Sequence, residues 1–107
     1  MGFRTGGNKV IRPTLEVNGK DQQVDGYTYD ILTDDALRFI DRNKDRAFLL
    51  CLHYRAPHTA WLPQPDSDRK PFENLDPEIP NPDYPNLDVE RVKRMTRDYL
   101  GSVKGID

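Results

Sequence analysis

Eight residues, Ala47 to Tyr54 (AFLLCLHY), set the terms on which this chain can fold. The run is almost continuously apolar. Lys44, Asp45 and Arg46 bound it on one side and Pro57 on the other. It is too short for an ordinary helix and shows no alternation between faces. That pattern predicts a strand buried on both faces, the kind found in parallel sheets covered by helices. Such a strand needs hydrogen-bonding neighbours on both edges. The rest of the chain offers no second run of the same quality.

The segments around it read as follows. Thr33 to Lys44 is predicted as a helix, with Thr33 as its cap and Asp34 and Asp35 at the end where the helix dipole favours acids. Ala36, Leu37, Phe39 and Ile40 form its apolar face. Helix followed by buried strand is half of a βαβ unit. Upstream, Asn18-Gly19 is the dipeptide preferred in a two-residue hairpin turn, so a weak hairpin is expected within Val10 to Val24. Residues 1–8 (MGFRTGGN) read as a glycine-rich lead-in. Met1-Gly2 lacks the hydroxyl residue of a myristoylation signal, because Gly6 stands there. Gly2 and Gly7 lack the Lys and hydroxyl residue of a phosphate-binding loop.

Residues 62–87 hold seven of the nine prolines and read as a long loop that forms neither helix nor central strand. Asp88 to Asp107 is predicted as a second helix with Asp88 as N-cap. Val89, Val92, Met95, Thr96, Tyr99, Leu100, Val103 and Ile106 fall within an arc of roughly 140° on a helical wheel. Gly101 and Gly105 lie on the opposite side, and the stripe runs to the chain end without a cap. One buried strand, one hairpin and two helices do not cover one another. The expectation is therefore an α/β chain of 107 residues that is a single incomplete segment of a larger domain, with residues 1–25 as lead-in and hairpin and 62–87 as the proline-rich loop.

Composition excludes several classes of function. The net charge is −2 and no long run is basic, so nucleic acid finds no electrostatic footprint. No apolar stretch approaches the roughly 20 residues that span a bilayer. Cys51, His53 and His58 are the only cysteine and histidines, too few for an ordinary zinc site. No metal site is expected from this chain alone.

In open α/β sheets, ligands bind beyond the carboxyl ends of the strands. Beyond Tyr54 the sequence continues Arg55-Ala56-Pro57-His58-Thr59-Ala60-Trp61. A cation, a histidine and an indole thus stand where the active end of the sheet would be, in a turn stiffened by Pro57. On position alone, His58 reads first as a solvent-facing loop residue and Arg55 as a partner of solvent or a carboxylate, while Trp61 reads equally as a roof over the core. His53, inside the strand, reads as a core histidine.

From Gly26 to Asp107 the chain resembles the sulfatases. Gly26 to Ala36 (GYTYDILTDDA) looks like the family's lead into a helix, and Ala47 to Leu52 (AFLLCL) is similar to the strand that follows. Arg55 to Trp61 (RAPHTAW) resembles the family's Pro-His-Thr-Pro-Trp loop, with Ala60 in place of the second proline. Tyr99 to Asp107 (YLGSVKGID) resembles its later Tyr-x-x-x-Val-x-x-x-Asp helix.

The resemblance implies a partial alkaline-phosphatase-like α/β fold and an internal fragment of a sulfuric ester hydrolase. In that family a formylglycine, made from the Cys or Ser of a Cys/Ser-x-Pro-x-Arg motif, attacks the sulfur of a sulfate ester. A divalent cation, usually calcium, assists. His58 matches the loop histidine that binds the sulfate or protonates the departing oxygen. Arg55 and Trp61 would line the approach for a sulfated small molecule or sugar. The family's usual setting implies a periplasmic or secreted protein.

The nucleophile motif is absent. Cys51-Leu52-His53-Tyr54-Arg55 has the Cys-x-x-x-Arg spacing, but His53 replaces the proline and the segment reads as buried strand, whereas a reactive thiol needs exposure. The segment alone is therefore expected to be inactive, the parent enzyme supplying nucleophile and cation. A phosphate or phosphonate ester hydrolase of the same superfamily is the nearest alternative. A non-enzymatic module is the other, since Pro77-x-x-Pro80 and Pro82-x-x-Pro85 fit the spacing that aromatic grooves recognise.

Overall fold

A computed structural model describes residues 9–107 and the backbone of Phe3–Thr5. The remainder of the glycine-rich lead-in lies outside the described residues. The chain divides into two compact units, residues 1–55 and 56–107.

In the first unit, β1 (Phe3–Thr5), β2 (Thr14–Val17) and β3 (Lys20–Gln23) form an antiparallel sheet in that order. The expected hairpin is present. Val17 pairs with Lys20, and Asn18 and Gly19 have φ of 52° and 81°. Both central residues are left-handed, as a type I′ turn demands. Leu15 alternates inward and is fully buried. The exposed residues of β3 explain why that arm carries so little apolar signal.

Helix α1 spans Thr28–Asn43 and begins five residues before the predicted cap. Tertiary contacts replace the cap that Thr33 was expected to provide. The backbone N–H of Thr28 donates to the Val10 carbonyl at 2.8 Å. Its hydroxyl bonds to the carbonyls of Val10 and Lys9 at 3.0 and 3.3 Å. Thr33 lies inside the helix instead, returning its hydroxyl to the Tyr29 carbonyl at 2.7 Å. At the other end, Asn43 is buried, donates to the Phe39 carbonyl and accepts from Arg46 Nε.

The run Ala47 to Tyr54 corrects the central expectation. It carries no strand pairing, and the unit's sheet is antiparallel. The segment runs back along α1. Phe48 meets Phe39 edge to face at 5.4 Å, Tyr54 meets Tyr29 at 5.6 Å, and the Tyr54 and Thr33 hydroxyls are in contact. Leu49 is 85% exposed, and Phe48, Cys51, Leu52 and His53 are also exposed. The physical reason is the one the sequence raises: no described segment supplies a neighbouring strand. His53 is accordingly not a core histidine, and Cys51 is not buried.

The second unit holds α2 (Asp66–Arg69), a 3₁₀ turn at Lys70–Phe72 and α3 (Val89–Lys104). A short helix thus forms inside the proline-rich stretch, because Pro65 and Pro71 stand at amino ends, where a missing N–H is tolerated. Beyond it, Asn81 and Asn86 turn the chain with positive φ. Asp88 caps α3 as predicted, accepting from Arg91 N–H at 2.9 Å. The helix stops at Lys104, where the N–H of Gly105 returns to Gly101. Gly101 and Ser102, not the apolar stripe, are the buried residues of α3. A Cβ built on Gly101 would overlap Gln64 Oε1 and stand 3.3 Å from the Asp68 carbonyl. The glycine is what lets α2 and Gln64 approach the helix.

The described architecture is a small mixed α/β arrangement with large apolar side chains left uncovered in both units. It is compatible with a partial domain.

Candidate functional site

Ala56 to Gln64 is a turn held by its own side chains. Its Ala56–Pro57, Thr59–Ala60 and Leu62–Pro63 peptide bonds are cis. Trp61 Nε1–H reaches back to the Pro57 carbonyl at 2.8 Å, closing the loop across four residues. Gln64, 8% exposed, donates from Nε2 to the carbonyls of Trp61 and Asp98, at 3.2 and 3.1 Å. It fastens the foot of the loop to α3. The Trp61 ring stands edge to face with Tyr99 at 6.1 Å.

His58 is exposed at the tip. Its Nδ1 lies 2.7 Å from the Thr59 carbonyl. A carbonyl only accepts, so Nδ1 carries the proton and Nε2 is the nitrogen left for a ligand. That bond selects both tautomer and ring direction. The loop is thus built to offer one imidazole nitrogen outward from a braced backbone.

Trp61 also lines a shallow cleft of about 280 Å³ with Val92, Met95, Thr96 and Tyr99. The uncovered apolar stripe of α3 forms one of its walls. Arg55 closes the first unit, where it lines a smaller hollow with Lys9 and His53. His58 and Trp61 are thereby gathered in one loop of the second unit, and Arg55 belongs to the first. Sequence reasoning missed Gln64 and Tyr99. A glutamine in a proline-rich stretch carries no signal of burial, and Tyr99 reads as one more apolar stripe position.

The described residues do not fit the divalent cation that the resemblance implies. Among them no three His, Cys, Asp or Glu side chains stand together as donors. Among them, too, no helix is long and apolar enough to cross a membrane.

Two curated proteins are similar to this chain, and both are sulfatases. N-acetylglucosamine-6-O-sulfatase of Bacteroides thetaiotaomicron is 39% identical over 54 residues, covering 50% of this chain and 10% of that protein. The uncharacterized sulfatase YdeN of Escherichia coli is 40% identical over 76 residues, covering 67% of this chain and 14% of that protein. No protein-family model matches, and no solved structure matches. The likeness supports a sulfatase-like hydrolase family. The chain spans between a tenth and a seventh of the length of these relatives.

Proposed function

We propose that this chain is part of a sulfuric ester hydrolase in which His58 handles the sulfate ester. The observation that carries the reading is the Nδ1–H bond from His58 to the Thr59 carbonyl, in a loop of a chain similar to two sulfatases. Cleaving a sulfate ester requires donors where negative charge grows, on the sulfuryl oxygens and on the departing oxygen. With Nδ1–H engaged, Nε2–H of the imidazolium is the proton to give. After transfer, the ring is the neutral Nδ1–H tautomer and keeps its bond to Thr59. The loop therefore holds the imidazole in one direction before and after the step.

Arg55 and Trp61 line the approach for a sulfated sugar or other sulfated small molecule. The nucleophile and the divalent cation, with calcium expected, belong to other parts of the complete protein, so the 107-residue chain alone is inactive. In that setting, residues 47–54 become a buried strand of an alkaline-phosphatase-like parallel sheet, and 1–107 is one segment of the catalytic domain. A periplasmic or secreted location accompanies this reading.

The test uses the full-length enzyme carrying His58→Gln. Turnover of an alkyl sulfate, whose leaving oxygen needs a proton, is expected to fall about 10²-fold or more. Turnover of 4-nitrophenyl sulfate, whose leaving group needs less help, falls less. Unchanged turnover of both esters overturns the role of His58. Faster cleavage of the matching phosphate ester by the wild-type enzyme overturns the assignment as a sulfatase.

A further inference from the structure

We propose that the first unit carries a small oxyanion-binding hollow made by Lys9, His53 and Arg55 at the amino end of α1, built without His58. These three exposed residues line one cavity with Thr28, Tyr29 and apolar neighbours, and none of the described residues that line it carries a carboxylate. Its volume is about 30 Å³. On the same measure a single water needs roughly 10–15 Å³, so the space suits a few water-sized oxygens and not a sugar ring. The ammonium, imidazole and guanidinium that these residues carry are donors suited to a tetrahedral anion with several acceptor oxygens.

The helix adds to the charge. Helix α1 has 16 residues, and the residue at its N-cap position, Tyr27, makes no side-chain capping bond. The Thr28 hydroxyl is turned back to the carbonyls of Lys9 and Val10 and does not cap the helix. Those bonds also fix the Lys9–Val10 backbone beside the first turn, which places Lys9 at the helix end. Asp30, the first-turn acid, is exposed and does not line the hollow. The Val10 carbonyl takes the Thr28 N–H at 2.8 Å, so the helix adds only the positive end of its dipole beside the hollow and not that amide. The hollow asks of Arg55 only one of its five N–H donors. The ligand class is a sulfate or phosphate group, free or as a monoester.

Titrating the 107-residue chain with sodium sulfate, sodium phosphate and methyl sulfate, followed by ¹H–¹⁵N NMR, tests the proposal. Sodium chloride of matched ionic strength is the control. Saturable shifts are expected at the amides of Thr28 and Tyr29 and at the His53 ring, absent with chloride. Saturation by methyl sulfate assigns the hollow to an ester, and saturation by the inorganic ions alone to a free anion; either result supports it. Lys9→Gln and Arg55→Gln each weaken binding about tenfold, Lys9→Arg retains it, and His58→Gln leaves it unchanged. Shifts equal to those of chloride overturn the proposal, a result that stands even where a variant fails to fold. Loss of binding in His58→Gln alone overturns it too, by returning the anion to the loop. Because His58→Gln is silent here and decisive for ester cleavage, failure of one reading is distinguishable from failure of the other.

Discussion

Single residues decide the second unit more than its apolar composition does. Gln64 is buried, spends both amide hydrogens on carbonyls, and leaves Oε1 buried against Gly101 with no hydrogen-bond partner among the described residues. That arrangement exists only because position 101 has no side chain. Gly101→Ala raises helix propensity in α3 but forces a methyl group into Gln64 and the α2 backbone. Overpacking of this kind costs about 1–3 kcal/mol, more than the roughly 1 kcal/mol gained from propensity. Net destabilisation in urea unfolding is expected, with Trp61 fluorescence as the probe. A stabilised variant would show that the contact is loose. His58 teaches the same lesson differently. Its place in the chain marked it, but its tautomer and direction come from one hydrogen bond to the next residue.

At the scale of elements, the signals that held are those carried by local backbone chemistry. Asn18-Gly19 needs two left-handed residues, and no distant contact is required to produce them. Gly19→Ala meets no steric neighbour, since open space surrounds the position, but it places a Cβ at φ 81°. A loss of about 1 kcal/mol is expected from that backbone conformation alone, read as a lower urea midpoint for the first unit. Asp88 capping α3 is legible for the same reason. The start of α1 is not, because its amino end is tied to Lys9 and Val10, eighteen or more residues away.

The ion pair between Lys93 of α3 and Asp76, 2.6 Å apart, is equally non-local. The hydrogen bond and charge of Lys93 hold the Asp76 carboxyl below the ordinary carboxylate range. The hydrogen bond to Asp76 raises the Lys93 ammonium above its ordinary value. A lowered acid adds stability above its ordinary value and loses it as pH falls through the lowered one. A raised base adds stability below its ordinary value and loses it as pH rises through the raised one. The gap in melting temperature between wild type and Asp76→Asn is therefore flat between the ordinary carboxylate and ammonium values and closes at both extremes. Asp76 is 81% exposed, so the gap is small and shrinks with salt. A gap that persists below the lowered carboxylate value would contradict this account.

For the molecule as a whole, the uncovered apolar surface is the informative feature. Leu49, Phe48 and Leu52 are exposed in a segment with no strand partner among the described residues. In the 107-residue chain, Leu49→Lys is expected to change stability by less than about 0.5 kcal/mol and to reduce self-association in sedimentation, because unpaired apolar strands invite pairing between copies. In the proposed complete enzyme the same substitution puts an unpaired charge in a buried strand and is expected to abolish soluble expression. Equal tolerance in both settings would count against the strand's burial in the parent.

The sequence by itself determined what short-range chemistry dictates: the hairpin turn, the Asp88 cap, the helical periodicity of both helices, and the strand-like apolarity of residues 47–54. It also singled out the loop with His58 and Trp61, because a histidine and an indole around a proline are rare enough to notice. Tertiary structure alone decided where α1 begins, which face of α3 is buried, that a helix forms within the prolines, and that Lys9, His53 and Arg55 share a hollow. Each depends on contacts between residues far apart in sequence, to which periodicity and capping are blind. The run at 47–54 shows the division most plainly. Its apolarity states that it should be buried, while burial itself requires neighbouring strands that no described segment provides.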